Sequence, residues 1–224
     1  MTSPFFSVIS PQHNSAEFMR TGLDSVRNQK FKDYELIIVC DSCTDNTAEI
    51  AAGYADRLII TDFHKAASAR NACLDVARGE WVLWLDDDDW YLQDAFGKIA
   101  EELGKHQDNI DILAYAFKWK GRGIAHQSPA RIYPAIWNKA WRRRFIGAVR
   151  FPEWVHSDDL GFSRMLHPKA RFAFLDEPLY YYNFLREGSV SDRIRKGEYN
   201  NNDIPEECRK EAVGYEKWLK GLNV

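Results

Sequence analysis

The spacing of apolar residues alternates between two patterns along the first half of the chain. Short runs of consecutive apolar residues, typical of strands buried on both faces of a sheet, occur at 5–10, 36–40, 58–60 and 81–85. Between these runs, apolar residues recur at helical spacing at 15–28, 44–52 and 66–77. Strands that alternate with helices predict an α/β fold with a central, mainly parallel sheet flanked by helices. Ligands bind such sheets beyond the carboxyl ends of the strands.

The second half of the chain has a less regular pattern. It predicts a helix at 94–105, a strand at 111–118, a mobile polar loop at 120–129, a helix that opens at 157–159, and strands at 172–175 and 179–184. The polar stretch at 193–203 is expected to have little order. After Pro205 the pattern predicts a terminal amphipathic helix whose apolar side is formed by Cys208, Ala212, Tyr215, Trp218 and Leu219.

Composition limits the class of protein. The 224 residues are 45% hydrophobic and 28% charged, as in globular proteins, and the formal net charge of -3 gives no general attraction to nucleic acid, which is not expected as a partner. No apolar run approaches the roughly 18 residues of a membrane span, and the N-terminus lacks the pattern of a signal peptide. The four cysteines are too scattered for a secreted disulfide scaffold, so we expect a cytoplasmic protein with reduced thiols.

The most distinctive polar feature is the run of four aspartates at 86–89, directly after the fourth predicted strand. Two carboxylates about 5 Å apart repel by about 3 kcal/mol at an effective dielectric near 20, so a cation would relieve such a run. Mg²⁺ and Mn²⁺ prefer carboxylate oxygens and leave positions open for phosphates. The alternative is a solvated turn that favours the next helix's N-terminus. The position at the ligand-binding edge favours a metal site at Asp86 and Asp88, because alternate residues of an extended turn point the same way.

Two further polar clusters each allow two interpretations. Asp41 follows the second predicted strand and can accept hydrogen bonds from a base or ribose, or can help to cap the next helix with Thr44 or Asp45. At 157–159, helix capping accounts for Ser157 and one aspartate, and a functional role for the other aspartate stays open.

Three weaker features also carry alternatives. Cys40 and Cys43 have the spacing of a redox pair or half a zinc site, but no second pair lies at zinc-finger spacing, and a position within a buried strand favours packing. The basic stretch at 142–144 either binds a phosphate or anionic acceptor, or forms a solvated helix end. His13 either stacks on a base or belongs to the polar surface. No G-x-G-x-x-G or G-x-x-x-x-G-K-[ST] motif supports a dinucleotide-binding or P-loop protein.

Several motifs, taken in order, resemble those of glycosyltransferase family 2 enzymes with the Rossmann-like GT-A fold. Residues 7–14, SVISPQHN, resemble the opening "SVIIPxYN", and residues 35–47, ELIIVCDSCTDNT, are similar to "EIIVVDDGSTDNT". Residues 69–71 match "ARN", and 79–90 match the "GEYIxFLDxDD" segment that carries the DxD motif. Asp158 and Asp159 fall where the family has "ED", and 179–191 resembles "LYxYR…S". The resemblance covers about residues 5 to 191.

The resemblance implies a role for each matching residue. Those that would contact the donor are Pro11, His13 and Asp41 at the base, Arg70 near the nucleotide-sugar, Asp86 and Asp87 near the ribose and metal, and Asp88 on the metal. Arg186 and Ser189 would belong to a loop that closes on the diphosphate. Either Asp158 or Asp159 would be the general base for the acceptor hydroxyl, and the register favours Asp159.

The resemblance also implies an activity and a domain organisation. The chain would be a single GT-A domain, 1–224, with a nucleotide-sugar half at 1–92, an acceptor-side half at 93–192, and a tail and helix at 193–224. It would be an inverting, metal-dependent glycosyltransferase that moves one sugar from a nucleotide-diphospho-sugar, expected to be a UDP-sugar, with Mn²⁺ or Mg²⁺ as cofactor. The acceptor would be a glycan, lipid-linked or other hydroxyl compound in polysaccharide or glycoconjugate biosynthesis. No Q-x-x-R-W motif of processive synthases is present.

Departures from the family pattern keep a second hypothesis open. Cys40 and Cys43 replace an Asp and a Ser of the "DDGS" segment, and Asn183 replaces the Arg after "YxY". The altered "DDGS" segment, with the terminal helix, motivates a non-catalytic sugar-nucleotide-binding subunit that acts with a partner. A sugar nucleotidyltransferase would need a Gly-rich basic loop after the first strand, which 11–14 does not supply. The terminal helix packs on the core, binds a partner, or rests peripherally on a membrane; its mixed charges favour packing.

Overall fold

A computed structural model describes residues 3–154, 157–198, 204, 206 and 208–210. Within these residues the strands are β1 Phe6–Gln12, β2 Tyr34–Asp41, β3 Arg57–Thr61, β4 Trp81–Trp84, β5 Trp90–Tyr91, β6 Ile112–Trp119, β7 Gly123–Ala125, β8 Lys139–Arg142 and β9 Phe172–Tyr182. The helices are α1 Met19–Arg27, α2 Thr47–Ala52, α3 Ala66–Val76, α4 Ala95–His106, α5 Arg143–Ile146, α6 Asp158–Leu166 and α7 Val190–Arg195. Short 3₁₀ turns follow α4 and α6.

One sheet connects all of these strands, in the order β3-β2-β1-β4-β8-β6-β9-β5, with β7 paired to β6. Strands β1 to β4 are parallel, β8 runs antiparallel to β4 and β6, and β6 and β9 are parallel to each other. The predicted α/β fold with a mainly parallel sheet is confirmed. Because the carboxyl ends of β1, β2 and β4 meet at one edge, the polar clusters that follow these strands come together there.

The predicted runs of consecutive apolar residues form strands in the core of the protein. The side chains of β1, β2 and β4 that lie in the sheet interior are fully buried, because helices cover both faces. Helix α1 packs its buried residues, Met19, Leu23 and Val26, on the sheet. Its Gly22 lies against the aspartate run, where a methyl group at the Cα would sit 2.5 Å from the carbonyl oxygen of Asp89. The absence of a side chain at Gly22 thus lets α1 pack closely against the aspartate run.

The strands predicted at 172–175 and 179–184 are wrong in their bounds, because β9 is a single strand that ends at Tyr182. Its register against β6 jumps from Leu175 opposite Tyr115 to Pro178 opposite Ala116. Proline has no N–H to donate to the ladder, so the strand bulges where Pro178 enters rather than ending.

Three described strands, the two-residue β5, β7 and β8, were not predicted by the pattern. Part of the predicted loop at 120–129 forms β7, which makes a hairpin with β6 through Gly121 and Gly123, both at positive φ. Strand β8 includes Arg142, the first residue of the basic stretch, and lies between β4 and β6. The predicted helix end therefore begins one residue later, with α5.

The polar stretch predicted at 193–203 begins inside α7, which continues to Arg195. Residues 199–203 lie outside the described residues. Of the predicted terminal helix, residues 206 and 208–210 are helical, and Cys208 packs with Leu160 and Ile204. Ala212, Tyr215, Trp218 and Leu219 lie outside the described residues. Among those described, no helix has the length and apolar character needed to cross a bilayer.

Candidate active site

Two acidic elements face each other across the sheet edge. The aspartates at 86–89 follow β4, and Asp158 and Asp159 begin α6. The guanidinium of Arg70, on α3, lies between them, with Nη1 2.6 Å from Asp158 Oδ2 and Nη2 3.5 Å from Asp86 Oδ1. Arg70 is 13% exposed and also lies over the ring of Phe151. The residue expected near the nucleotide-sugar therefore joins Asp86 of the predicted metal site to Asp158, the neighbour of the favoured base Asp159.

Negative charge exceeds positive charge at this edge. Burial raises the pKa of Asp86, Asp87 and Asp89, and the neighbouring carboxylates raise it further. The pKa of Asp87 reaches about 8. Among the described residues, Arg70 and Arg186 are the basic side chains that ion-pair with these two acidic elements. The site as folded would gain from a further cation.

Asp87→Asn is expected to stabilise the ligand-free protein at about pH 8 and to have little effect near pH 4. Because the pKa of Asp87 is about 8 in the folded protein, this group takes up a proton on folding between about pH 4 and pH 8. Its contribution to stability therefore falls as the pH rises through that window, and an amide, which resembles the protonated acid, removes the fall. We expect a gain of about 2 kcal/mol, or about 4–8 °C in Tm, at pH 8.

Thermal unfolding across that pH range measures this effect, with the exposed Asp62→Asn as the control. Stability curves for Asp87→Asn and wild type that stay parallel from pH 4 to pH 8 would show that Asp87 is not the source of the charge repulsion.

Asp89 is a structural member of the run that sequence reasoning did not single out. It is 1% exposed, and its Oδ1 accepts the N–H of Asn183 at 2.7 Å, while Oδ2 has no hydrogen-bond partner among the described residues. The hydroxyl of Tyr180 accepts the N–H of Asp86 at 3.1 Å. The end of β9 is thus attached to the aspartate run, and the "LYxYR"-like segment was the sequence signal that could have indicated this.

The two candidate bases differ in their surroundings. Asp158 is buried and engaged by Arg70. Asp159 is half-buried, its Oδ1 accepts the N–H of Leu160 at 2.8 Å, and burial together with the charge of Asp158 raises its pKa to about 6. A carboxylate with a pKa near neutral is suited to accept a proton. The cap predicted at Ser157 is not formed in the described residues, because Ser157 has a φ of 61°, outside the extended region that capping residues adopt.

The predicted base-binding residues meet at the ends of β1 and β2. Pro11 pairs in register with Val39, and Nδ1 of His13 lies 2.7 Å from the carbonyl oxygen of Asp41. The carboxylate of Asp41 is directed to the loop after β3, where it accepts the N–H groups of Phe63 at 2.6 Å and Lys65 at 3.1 Å. Its resolved contacts are therefore those of a residue that orders this loop.

The other predictions at this corner have clear outcomes. Asp45 accepts the N–H of Thr47, the first residue of α2, at 3.0 Å, whereas Asn46, which directly precedes the helix, makes no side-chain cap. Cys40 is buried, and burial raises the pKa of its thiol to about 12, which is the behaviour of a packing residue and not of a redox thiol. Cys43 lies half-buried, with Sγ 3.6 Å from the carbonyl oxygen of Gln12.

The predicted diphosphate loop follows β9 and contacts the aspartate run directly. Nε of Arg186 lies 2.6 Å from Oδ2 of Asp88, and its guanidinium lies 3.8 Å from the ring centroid of Phe18. Ser189 accepts the N–H of Asp192 and caps α7. Arg186 therefore lies at the site, and Ser189 caps α7, the helix that follows the loop.

The basic stretch at 142–144 lies away from the site, because Arg142 pairs with Trp81 at the beginning of β4. Arg142 is 2% exposed and forms ion pairs with Glu80 at 3.1 Å and Asp108 at 2.9 Å. Arg142 is therefore not an available phosphate ligand, because these carboxylates neutralise it. Arg143 and Arg144 are exposed at the start of α5, as expected of a solvated helix end.

A buried lysine behind α6 was missed by sequence reasoning. Lys139 is fully buried, and its Nζ donates to the carbonyl oxygens of Tyr133 and Ala135, at 2.5 Å each, and to Oδ1 of Asn138 at 2.8 Å. Burial lowers its pKa to about 7. No local pattern signals such a lysine, since its partners are backbone oxygens.

The same segment, 133–138, is held by side chains at each of its first five carbonyl oxygens. Ser163 of α6 donates to Pro134 at 2.6 Å, Trp141 donates to Ile136, and Tyr115 donates to Trp137. With the bonds from Lys139, these contacts connect β6, β8 and α6. The helix that carries Asp158 and Asp159 is thereby anchored to the sheet.

Comparison with known proteins agrees with this arrangement. The family model described as Glycosyl transferase family 2 matches residues 7–170. EpsH, a candidate glycosyltransferase of Bacillus subtilis, is 29% identical over 226 residues, which cover 88% of this chain and 65% of EpsH. A PGL/p-HBAD biosynthesis glycosyltransferase of Mycobacterium tuberculosis is 33% identical over 152 residues, covering 57% of this chain and 59% of that protein. The chain spans just under two thirds of the length of these relatives.

Solved structures share the fold. TarS of S. aureus, residues 1–349 in complex with UDP, is 25% identical with a TM-score of 0.71, covering 93% of this chain and 69% of that 1–349 chain. The mannosyltransferase PcManGT of Pyrobaculum calidifontis, in complex with GDP-Man and Mn²⁺, has a TM-score of 0.67 at 18% identity, covers 99% of this chain and 71% of PcManGT, and supports the fold alone. The fold resembles the GT-A glycosyltransferases. With the family model matched over 7–170, the chain belongs to glycosyl transferase family 2.

Proposed function

We propose that this chain is an inverting glycosyltransferase that moves one sugar from a nucleotide-diphospho-sugar to an acceptor hydroxyl. The observation that carries the proposal is the pair of acidic elements joined by Arg70, one at the end of β4 and one at the start of α6. Sugar transfer needs negative charge to be neutralised on the donor side and a proton to be removed on the acceptor side. The two elements supply one group for each task.

The donor-side element suits a divalent cation. Asp86 and Asp88 offer hard oxygen ligands, and the excess of negative charge and the unpartnered Oδ2 of Asp89 favour a cation there. Among the described residues no three acidic, His or Cys side chains converge as a preformed cage, so donor phosphates would complete the coordination, as is usual for Mg²⁺. We propose Mn²⁺ or Mg²⁺ as the cofactor; when bound, it neutralises charge on the departing diphosphate.

The chain's own residues complete the reaction on the acceptor side. Asp159, with a pKa of about 6, is ionised near neutral pH and accepts the proton of the acceptor hydroxyl as that oxygen attacks the anomeric carbon. Attack on the face opposite the diphosphate inverts the configuration in one displacement. Arg70 holds Asp158 beside Asp86 and so fixes the distance between the two elements. Pro11, His13 and Asp41 would lie at the base, with Asp87 near the ribose.

The expected donor is a UDP-sugar, which TarS complexes with UDP and UDP-GlcNAc support. The acceptor is proposed to be a glycan, lipid-linked or other hydroxyl compound in polysaccharide or glycoconjugate biosynthesis. Peripheral contact with a membrane through the C-terminal segment stays a prediction.

UDP is expected to raise the Tm of the protein strongly only when Mn²⁺ is present. At a UDP concentration about 100 times its Kd the stabilisation is about 2.7 kcal/mol, or about 5–11 °C. Without Mn²⁺ the gain should fall below about a third of this, because the diphosphate then meets uncompensated aspartates.

A thermal-shift panel of UDP-, GDP- and dTDP-sugars measures this, with Asp88→Asn as the variant and Asp62→Asn as the control. If a sugar nucleotide with Mn²⁺ raises the Tm of Asp88→Asn as much as that of wild type, the cation binds elsewhere. Tight UDP binding without turnover across a broad acceptor panel would favour the non-catalytic subunit instead.

A further inference from the structure

The ion pair between Arg186 and Asp88 joins two residues that the proposed function uses for different ligands. Asp88 is the proposed ligand of a cation, and Arg186 is the proposed partner of the diphosphate. In the ligand-free protein they bind each other, with Nε of Arg186 2.6 Å from Oδ2 of Asp88. The two side chains are 25% and 11% exposed, so water screens the pair only partly.

Arg186 lies where a cation would relieve the charge of the aspartate run. Its guanidinium is one of two basic groups that ion-pair with the site's acidic elements among the described residues, and the other, Arg70, is already shared between Asp86 and Asp158. A cation cannot use Asp88 Oδ2 fully while Arg186 donates to it. The guanidinium therefore competes with the cation for this oxygen.

The loop that carries Arg186 is built to hold this position under some strain. Leu185 has a φ of 54°, in the left-handed region, where the Cβ of a leucine is crowded by the backbone. The loop is attached to the aspartate run at two points, since Asn183 also donates its N–H to Asp89. The ring of Phe18 supports the guanidinium from the other side. Among the described residues, loss of the contact to Asp88 would leave the N–H of Asn183 as the loop's remaining hydrogen bond to the run.

We propose that Arg186 is an internal counter-ion which occupies Asp88 in the ligand-free protein, leaves it when a divalent cation binds, and is thereby freed to bind the donor diphosphate. The proposal rests on the proposed function and deepens it by setting an order of events. Arg186 opposes cation binding before the donor arrives and favours it afterwards, because the phosphates then take the guanidinium. Cation and donor would accordingly bind with positive cooperativity.

The test compares Mn²⁺ binding by wild type and Arg186→Gln, with and without UDP, using the EPR signal of free Mn²⁺. If Arg186 occupies Asp88 about nine-tenths of the time, its removal should tighten Mn²⁺ binding in the absence of UDP about tenfold. UDP affinity at saturating Mn²⁺ should instead weaken at least about tenfold in the same variant, because a charge-assisted contact is lost. Tighter Mn²⁺ binding together with weaker UDP binding distinguishes the exchange from general damage to the protein, which would weaken both.

Arg193→Gln is the matched control, since Arg193 lies on α7, pairs with Glu198 and carries the same charge. We expect its Mn²⁺ affinity to stay within about twofold of wild type, because an exposed charge that already pairs with Glu198 is screened by water and salt. An equal gain in Mn²⁺ affinity in Arg186→Gln and Arg193→Gln would show that net charge alone causes the gain, and would overturn the exchange.

A second readout does not depend on a variant. Hydrogen exchange of the peptide that covers 183–189 in wild type should become faster when Mn²⁺ alone is added, and slower when UDP follows. Unchanged Mn²⁺ affinity in Arg186→Gln, or a loop protected by Mn²⁺ alone, overturns the exchange and leaves the proposed function standing. Failure of wild type to bind Mn²⁺ even with UDP overturns the proposed metal dependence, and the exchange with it.

Discussion

Replacement of Asp159 by Asn is expected to reduce sugar transfer by about a thousandfold or more while leaving UDP affinity within about twofold of wild type. General base catalysis by a placed side chain contributes about 10²–10⁴ in rate, and an amide cannot accept the proton. Asn keeps the size of Asp159 and can still accept the N–H of Leu160. The rate is measured as UDP release from a UDP-sugar, with water or a glycan pool as acceptor.

Asp158→Asn is the matched comparison, because the neighbouring acid has a different task. It pairs with Arg70 at 2.6 Å, and its loss would leave a buried guanidinium with a weaker partner. We expect this variant to lose stability as well as rate, whereas Asp159→Asn keeps or raises its Tm near neutral pH, because folding raises the pKa of Asp159 and so disfavours its ionised form. Transfer by Asp159→Asn at the wild-type rate would falsify the assignment, and a rate loss confined to Asp158→Asn at normal Tm would move the base to Asp158.

Replacement of Lys139 by Met is expected to lower the free energy of unfolding by about 3 kcal/mol or more, and Tm by about 6–12 °C. Met fills similar space but cannot donate, so the carbonyl oxygens of Tyr133 and Ala135 would remain buried without their partner. Each such oxygen costs about 1–3 kcal/mol. Because the same segment anchors α6 through Ser163, we also expect slower transfer.

Thermal and urea unfolding measure this effect, with Lys98→Met as the control. Lys98 forms a partly exposed ion pair with Glu177, a kind of pair that contributes at most about 1 kcal/mol. If Lys139→Met and Lys98→Met unfold at the same Tm and urea midpoint, the hydrogen bonds from Lys139 add nothing to stability.

The elements that the sequence predicts well are those whose signal is local. Strands β1 to β4 lie within two residues of their predicted bounds at every end, because burial on both faces leaves continuous apolar runs. Strand β8 was missed because Lys139 and Arg142 interrupt its apolar pattern. Their burial depends on partners far along the chain, such as Tyr133, Glu80 and Asp108.

The candidate site likewise has residues that the sequence identifies and contacts that it does not. The aspartates at 86–89 and at 158–159 could be identified from motif and position at a strand or helix end. That Arg70 joins them could not, since this depends on how α3 packs against α6 across the sheet edge. The contact of Arg186 with Asp88 likewise follows from the path of β9, which no local pattern specifies.

The path of β9 has a consequence for protein engineering. This strand lies beside β6 over its whole length and ends beside β5, the short strand that directly follows the aspartate run. A chimera that joins residues 1–92 to the second half of a relative would need the foreign β9 to recognise the native β5. Grafts intended to change acceptor preference are therefore better confined to the turn at 128–132, because Lys120 and His126, which precede it, bond to Tyr182 and Asp176 of β9.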